Sequence, residues 1–454
     1  MTAHPVRIKH VTFGYEDFRY RTPIKFGGVA VDRVTLLNAF VTVETRGGFV
    51  SRGFGSMPLG NVWAWPSRVL GYDQTLGGMR QAAGQIAAAY RECKEAGHPI
   101  QITHRLEDRV RRIADQVRIV SGVRGDDPRA AFAPMPLLAA FVVASAFDAA
   151  LHDAYAKCFN LNCYRTYGPP FFTDDLGDYL GDEFGGERLE QYIRPEPQPS
   201  LPLYHLVGAL DPLTPADVTE PVGDGLPEHL GEWITRDGLT HLKVKLNGDD
   251  AGWDVTRVLG VDRVATATAD RPFRYSLDFN ERCRDVDYLL DVLGRVKAVS
   301  PAAFARIQYV EQPTARDLKA NPGNRMHRAA ELLPVVIDES LLDLETLHLA
   351  RQQGYTGVAF KACKGQTQSL LLAAAAQKFG LFRCVQDLTC PGASLIHSAG
   401  LAAHIPGVAA IEANSRQYCP AANEQWDERF PGVFSVRDGR VNTSVLNGPG
   451  LGAV

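Results

Sequence analysis

The sequence lacks several features that would assign it to a specialised class of protein. It has no run of lysine and arginine, and its net charge of −4 with 22% charged residues excludes the strongly basic balance typical of nucleic-acid-binding proteins. Its eight cysteines include no C-x-x-C pair and form no disulfide framework, so we expect reduced thiols. The opening, MTAHPVRIKHVTFGY, lacks the apolar stretch of a secretory signal. We therefore expect a cytoplasmic protein without nucleic-acid or membrane partners.

The chain instead has the composition of a large globular protein, with 45% hydrophobic residues in 454. Residues 1–135 contain the strand-like runs VRIKHVTFGY and TLLNAFVTVET and then a helical run, GGMRQAAGQIAAAYRECKEAG. Strands followed by helices predict an α+β domain. Residues 136–202 hold a helix that is apolar around most of its surface and an acidic segment rich in glycine and proline. We interpret this second part as a linking helix followed by an insertion.

From Leu203 onward the sequence alternates short β-rich runs with helical segments. The intervals suit one strand, one helix and two loops, which predicts parallel β/α units closing into a barrel over residues 203–431. In such barrels the chemistry lies at the carboxyl ends of the strands. The predicted strands end near His205, Lys245, Asp278, Glu311, Asp338, Lys361, Gln386 and Glu412.

Three successive predicted strands finish on a carboxylate, at Asp278, Glu311 and Asp338. Converging carboxylates repel one another and raise each other's pKa unless a divalent cation neutralises them. Ligands that are all oxygen suit magnesium better than zinc, which would draw histidine or cysteine into its shell. The sequence therefore predicts a Mg²⁺ site held by these three residues, with Mn²⁺ as a substitute.

Lysines lie on both sides of the carboxylates in chain order. Lys243 and Lys245, in GLTHLKVKLNG, point to the same face of a buried strand, and Lys361 ends a later strand. A metal ion would stabilise the enediolate formed when a carboxylate substrate loses its α-proton. A second ammonium nearby would lower the pKa of the lysine that takes this proton. We predict Lys243 as the electrostatic helper and Lys245 as the base.

Five ordered motifs, KVK, the D-x-N of LDFNE, VEQP, DES and the lysine of AFKACKGQ, resemble the enolase superfamily. The similarity is to its muconate lactonizing enzyme-like branch, within the mandelate racemase/muconate lactonizing enzyme family. The resemblance implies an α/β fold, a modified TIM barrel of (β/α)₇β form with an N-terminal α+β capping domain. We assign residues 1–135 to the cap, completed by residues 432–454. It also implies metal ligands at Asp278, Glu311 and Asp338 and acid/base lysines at Lys245 and Lys361.

The implied reaction is Mg²⁺-dependent removal of the proton α to a substrate carboxylate. Racemisation, epimerisation and cycloisomerisation of a small-molecule carboxylate all follow from it, and syn-dehydration of a hydroxy acid is an alternative. A metal-free Schiff-base aldolase using Lys361 and a barrel without catalysis are alternatives of other classes. Two departures from the family pattern, the long acidic insertion after Cys163 and the text RCVQDLTCPGAS, indicate an unusual substrate. We also expect a homo-oligomer.

Further residues are assigned to substrate contact or to support of the metal ligands. Each also has an ordinary explanation as a loop cap, an ion-pair partner or a turn residue. The stretch GYEDFRYRTPIKFGG is predicted to be a cationic loop of the cap, and Trp63 and Trp65 are predicted either to cover the substrate or to pack on the barrel. Lys364 is predicted at the surface. The assigned residues are Asn280, Glu339, Gln386, Asp387, Glu412, Asn414, Arg19 and Lys25.

Overall fold

The computed structural model describes residues 3–26, 28–120 and 132–452. Its strands are β1 (Val6–Phe26), β2 (Val29–Thr45), β3 (Val50–Pro58), β4 (Arg118–Val120), β5 (Phe132–Pro134), β6 (Ser200–Val207), β7 (His241–Lys245), β8 (Arg274–Asp278), β9 (Ile307–Glu311), β10 (Val335–Ile337), β11 (Gly357–Phe360), β12 (Phe382–Val385), β13 (Val408–Glu412) and β14 (Arg440–Asn442). Its α-helices are α1 (Asn61–Ala64), α2 (Tyr72–Glu92), α3 (Pro99–Gln116), α4 (Leu137–Lys157), α5 (Gly177–Leu180), α6 (Leu230–Asp237), α7 (Ala251–Thr268), α8 (Val286–Val299), α9 (Pro301–Arg306), α10 (His327–Ala330), α11 (Leu344–Gln352), α12 (Gln366–Lys378), α13 (Ala393–His404), α14 (Ser415–Tyr418) and α15 (Glu424–Asp427).

The N-terminal cap is built on an antiparallel sheet in the order β1-β2-β3, against which α2 and α4 pack. Strands β1 and β2 form a long hairpin that stays paired up to Phe26 and Val29, with an irregularity between Arg19 and Ile24. The prediction of a cationic loop in this stretch is therefore wrong, because the stretch forms a paired strand. Its aromatic and branched residues favour a paired strand, because they pack against neighbours on a pleated surface.

Helix α4 links the cap to the barrel and is buried around most of its circumference. It is long and apolar enough to cross a membrane, but 89% of its most apolar window is buried within the protein. Glycines in β3 let the helix come very close. A Cβ at Gly53 would lie 2.1 Å from the carbonyl oxygen of Ala150, and one at Gly55 would lie 2.1 Å from that of Ala146. The sheet and the helix therefore meet backbone to backbone.

Strands β6 to β13 form the barrel. Each is parallel to the next in chain order, and β13 pairs with β6 to close the ring. Helices connect the successive strands, so the (β/α)₇β barrel with an N-terminal α+β cap is confirmed. An interior layer of side chains fills the barrel below its mouth, formed by Tyr204, Tyr309, Val336, Ala359, Cys384 and Ala410.

The C-terminal segment, which the sequence interpretation assigns to the cap over residues 432–454, contacts the barrel and also the helix that packs on the cap sheet. Its strand β14 pairs antiparallel with β6 of the barrel. Further along, the backbone N–H of Leu451 donates to Asp153 on α4 at 2.8 Å.

The insertion after α4 lies against α12, where Lys378 pairs with Glu187 at 2.6 Å. All eight cysteines are free thiols, as expected.

Candidate functional site

The register of the parallel strands brings the predicted metal ligands to one rim of the barrel. Lys245 is level with Asp278, and Asp278 is level with Glu311 on the next strand. Asp338 directly follows β10, whose Val336 is level with Glu311. The three carboxylates are 1–2% exposed. They therefore meet in a closed, water-poor site in which uncompensated charge is costly.

Lys243 is the central cation of this site. Its Nζ lies 2.8 Å from Glu311 Oε1, 3.0 Å from Glu412 Oε2 and 3.1 Å from Asp278 Oδ2. Burial opposes its charge, but these three carboxylates raise the pKa of Lys243 well above its usual value. A buried ammonium is therefore tolerated here because it neutralises several strand-end carboxylates at once.

The two predicted acid/base lysines lie at opposite ends of the carboxylate row. Lys245 Nζ is 2.5 Å from Asp278 Oδ2, and Lys361 Nζ is 3.0 Å from Asp338 Oδ2. Burial and the charge of Lys243 both lower the pKa of Lys361, but nearby carboxylates, Asp338 foremost, outweigh them and raise it. At Lys361 the attraction of the carboxylates therefore exceeds the repulsion from the neighbouring ammonium. Carboxylates outnumber lysines around it, so their attraction prevails.

Lys364 is a further buried lysine that the sequence interpretation placed wrongly at the surface. It is 6% exposed, and its Nζ donates to the backbone oxygen of Asp338 at 2.5 Å and to Oδ1 of the same residue at 3.0 Å. A short 3₁₀ turn, Ala362–Lys364, directly follows Lys361 after β11. The turn brings Lys364 and Lys361 onto the same carboxylate.

The residues present fit a divalent cation in their chemistry. Six buried carboxyl groups and four buried lysines lie in or beside this centre. Glu311 Oε2 is buried without a hydrogen-bond partner. Within the described ranges no three His, Cys, Asp or Glu side chains are already placed to hold a metal; lysine ammonium groups pair with these carboxylates instead. The carboxyl groups are those of Asp278, Glu311, Asp338, Glu339, Asp387 and Glu412, and the lysines are Lys243, Lys245, Lys361 and Lys364.

Four predicted residues of the last two strands join the same cluster. Gln386 Oε1 accepts from Lys243 Nζ at 2.9 Å. The carboxylate of Asp387 accepts from the backbone N–H of Asn414 at 2.8 Å, and its backbone oxygen accepts from Lys361 at 3.0 Å. Burial raises the pKa of Asp387 to about 6. The amide of Asn414 donates to Glu412 Oε1 at 2.9 Å, so this pair orients the carboxylate that faces Lys243.

Asn280 and Glu339 lie at the edge of the centre. The backbone N–H of Asn280 donates to Asp278 Oδ1 at 2.8 Å, with φ of 46° at Asn280. Glu339 Oε1 accepts from Trp63 Nε1 at 2.8 Å, and its Oε2 is buried without a partner. Burial and the charge of Asp338 raise the pKa of Glu339 to about 8. Glu339 therefore faces the cap, whereas Asp338 faces the lysines.

The two predicted cap cations have different surroundings. The side chain of Arg19 is 79% exposed and pairs with Asp32 on the hairpin, so Arg19 lies outside the centre. Lys25 Nζ donates to Asn247 Oδ1 at 3.0 Å, in the loop that follows Lys245. The irregularity in β1 between Arg19 and Ile24 separates the two residues.

Two aromatic rings of the cap lie over the two predicted acid/base lysines. The ring of Phe26 lies 5.9 Å from Lys245 Nζ, and the ring of Trp63 lies 4.4 Å from Lys361 Nζ. Such contacts stabilise an ammonium where water is excluded. Sequence reasoning considered Trp63 but missed Phe26, because no local pattern shows which cap residue reaches a strand end so far along the chain.

The family model described as "Enolase C-terminal domain-like" matches residues 226–454. The fold is similar to that of the L-Ala-D/L-Glu epimerase from Bacillus subtilis, with 15% identity, 99% of each chain covered and a TM-score of 0.64. It is similar to muconate lactonizing enzyme from Pseudomonas fluorescens, with 17% identity, 99% of this chain and 96% of that chain covered and a TM-score of 0.63.

A third similar structure is the dipeptide epimerase from Enterococcus faecalis in complex with Mg and the dipeptide L-Leu-L-Tyr. It is 14% identical, with 98% of this chain and 99% of that chain covered and a TM-score of 0.60. No curated protein sequence matches the chain. The family model spans half of the sequence and includes every predicted metal ligand and every predicted catalytic lysine. The chain therefore belongs to the enolase C-terminal domain-like family.

Proposed function

We propose that the protein is a Mg²⁺-dependent enzyme that moves the proton α to the carboxylate of a small organic acid, as a racemase, epimerase or cycloisomerase. The proposal rests on one observation, which is that two lysines flank a single row of carboxylates. Lys245 pairs with Asp278 at one end, and Lys361 pairs with Asp338 at the other. A proton donor and a proton acceptor on opposite sides of one carbon are what inversion of a stereocentre requires.

The roles of the residues follow from their positions. Asp278, Glu311 and Asp338 would hold the ion, which would neutralise their charge and stabilise negative charge on the substrate carboxylate. Lys243 keeps its several carboxylate partners and acts as a fixed cation beside the reacting group. Lys245 and Lys361 exchange their carboxylate contacts for the substrate and hold or take a proton at Nζ. Phe26 and Trp63 exclude water from both lysines.

The similar structures support this reaction class without selecting one member of it. Two are epimerases and one is a muconate lactonizing enzyme, so inversion and cycloisomerisation both occur on this fold. A syn-dehydratase would use the same centre with one active base. We favour isomerisation because the chain provides two lysines at the carboxylate row, and only inversion requires both.

Deuterium exchange tests the proposal directly. The purified protein with Mg²⁺ would be incubated in D₂O with acid sugars, dicarboxylates, N-acyl amino acids and dipeptides, and exchange at the α-carbon would be followed by NMR. On a working substrate, Lys245→Ala and Lys361→Ala should each reduce turnover by about 10²-fold or more. Each variant should still exchange the α-hydrogen of one stereoisomer, the opposite one in the two variants.

Exposed Lys297→Ala is the matched control and should exchange like the unmodified protein. If one lysine variant loses all exchange and the other loses none, the enzyme uses a single base, as in a cycloisomerase or dehydratase. Absence of exchange with every acid, together with trapping of a carbonyl substrate by borohydride on Lys361, would replace the proposal with an aldolase.

A further inference from the structure

We propose that a cavity on the outer side of strand β6 binds a small organic amine, at a site separate from the lysine centre. The cavity has a volume of about 250 Å³. Its walls include the loop of residues 208–229, which joins β6 to α6, together with α14 and residues 21–23 of β1. The volume is somewhat below that of sites for drug-sized molecules, so we expect a compact ligand. The inference does not depend on the proposed function.

The cavity lies outside the ring of barrel strands. Side chains alternate between the two faces of a strand. In β6, Tyr204 belongs to the interior layer of the barrel, whereas His205 lies against Trp233 of α6, with 5.3 Å between the ring centroids. His205, Val207 and Trp233 all line the cavity. The cavity is therefore on the helix side of the strand.

A small apolar cluster separates the cavity from the lysine centre. Leu206 packs with Ile24 and Tyr418, and both Leu206 and Tyr418 line the cavity. Phe26, whose ring lies over Lys245, packs on the same cluster. The carboxylates and lysines of the centre, all of which lie in the described ranges, are absent from the cavity lining. A ligand in the cavity would therefore contact neither the predicted metal ligands nor the lysines.

The charged groups of the lining favour a cation. Arg21 lines the cavity, but its Nε pairs with Asp224 Oδ2 at 2.6 Å, so its charge is already compensated. Acidic side chains outnumber it. An anion would meet an excess of negative charge, whereas an ammonium group would be attracted to it. The acidic residues of the lining are Asp211, Asp217, Glu220 and Glu228.

The lining also contains buried hydrogen-bond acceptors without a donor. Gln417 is 4% exposed, and its Nε2 donates to the backbone oxygen of Leu206 at 2.9 Å, which fixes the orientation of the amide. Its Oε1 is buried without a partner, as is Nδ1 of His229. His229 Nε2 lies 3.5 Å from Glu232, which favours a proton on Nε2 and leaves Nδ1 as an acceptor. Unpaired buried acceptors are costly, and an ammonium has three donors to offer.

The apolar part of the lining defines the rest of the ligand. Leu210 and Val222 are 53% and 42% exposed although both are large and apolar, and they line the cavity together with Leu230 and Trp233. A ligand with an apolar body would remove part of this surface from water. A compact primary amine with an aromatic or branched body therefore matches the cavity.

Calorimetry with phenethylamine tests the inference apart from catalysis. The full chain would be titrated in excess Mg²⁺, which competes with the amine for the carboxylates of the lysine centre. The matched neutral ligand is phenethyl alcohol, which has a hydroxyl in place of the ammonium. Phenethylamine should bind about tenfold more tightly than the alcohol, because charge-assisted hydrogen bonds are stronger than neutral ones. Equal affinity, or no binding of either, overturns the inference.

Substitutions at two positions of the lining locate the site. Leu210→Trp adds bulk at an exposed position and should abolish amine binding, whereas Leu332→Trp, also exposed but outside the lining, should not. Gln417→Met removes the free acceptor at similar size and should weaken amine binding about tenfold, and Gln417→Glu should retain it. Melting temperatures check that the variants fold, and Leu210→Trp decides alone if Gln417→Met does not. Amine binding that survives Leu210→Trp, or is unchanged in folded Gln417→Met, overturns the inference.

Discussion

Two buried polar regions of the molecule satisfy their charges in different ways. At the barrel mouth, the ammonium of Lys243 faces three carboxylates, and Glu311 Oε2 has no partner. Where the cap, α4 and the barrel meet, the carboxylate of Asp148 accepts from Thr103 Oγ1, from Thr367 Oγ1 and from the backbone N–H of Thr367, each at 2.8 Å. His152 Nε2 lies 2.9 Å from the same Thr367 hydroxyl. Both oxygens of Asp148 therefore have donors.

The difference distinguishes a region that can exchange partners from one that fixes geometry. A saturated buried network rigidifies the elements that it joins. Asp148 lies on α4, Thr103 on α3 of the cap and Thr367 on α12, so this network fixes the cap on the barrel. The lysine centre has unpartnered oxygens on Glu311 and Glu339, so we expect that a cation and a substrate can replace its internal ion pairs. Four predictions test this contrast.

Lys243→Met should have the largest effect. The variant leaves Glu311 and Glu412 buried without their cation, and breaking a buried pair from one side costs about 3–5 kcal/mol. The free energy of unfolding from urea titration measures the loss. Exposed Lys297→Met should change it by less than about 0.5 kcal/mol. The double variant Lys243→Met with Glu311→Gln should recover part of the loss, and a double variant no more stable than Lys243→Met would contradict the assignment.

Magnesium should stabilise the protein through the carboxylate row. At a concentration of about 100 times the dissociation constant, the expected gain in unfolding free energy is about 2.7 kcal/mol. Melting temperature against Mg²⁺ concentration measures it, with Mn²⁺ as a second ion. Asp278→Asn should abolish the shift and exposed Asp291→Asn should keep it. A shift that survives Asp278→Asn would place the ion elsewhere.

Thr367→Val should destabilise the saturated network by about 2 kcal/mol. The substitution removes the hydroxyl between Asp148 and His152 and leaves buried polar atoms without a partner. Thr367→Ser retains the hydroxyl and should keep most of the stability. Because this region does not bind the ion, the Mg²⁺-dependent shift should be unchanged in Thr367→Val, and its loss there would show that the two regions are coupled.

Protonation of His397 should have the smallest effect on the free energy of unfolding, and this effect should appear only as the pH falls. Both of its ring nitrogens are buried without a partner, and burial lowers the pKa of His397 to about 3. In the unfolded chain the His397 ring binds a proton near pH 6.5, whereas in the folded protein it stays neutral down to about pH 3. The free energy of unfolding is therefore unaffected by His397 above pH 6.5 and decreases as the pH falls toward about 3. Between pH 6.5 and 5.5 the loss is about 1 kcal/mol. His397→Leu should remove it, and exposed His10→Leu should not.

The sequence indicates the centre better than its surroundings. Strands in a parallel barrel end on one rim, so a carboxylate or lysine at each strand end, as at Asp278 and Lys361, is expected near the others. The position of Lys364 depends on a 3₁₀ turn that sequence periodicity does not reveal. Arg19, which is exposed, and Lys25, which contacts the loop after Lys245, are separated by an irregularity in one strand that sequence patterns do not show. The C-terminal pairing with β6 depends on long-range contacts for which a single sequence gives no signal.

The rings of Phe26 and Trp63 come from the cap, and the lysines that they cover come from the barrel. Under the proposed function, the groups that control access to the lysines and the groups that move the proton are therefore encoded in separate stretches of the sequence. Substitutions in the hairpin or around Trp63 would then change which molecules reach the lysines without changing the strand ends of the barrel.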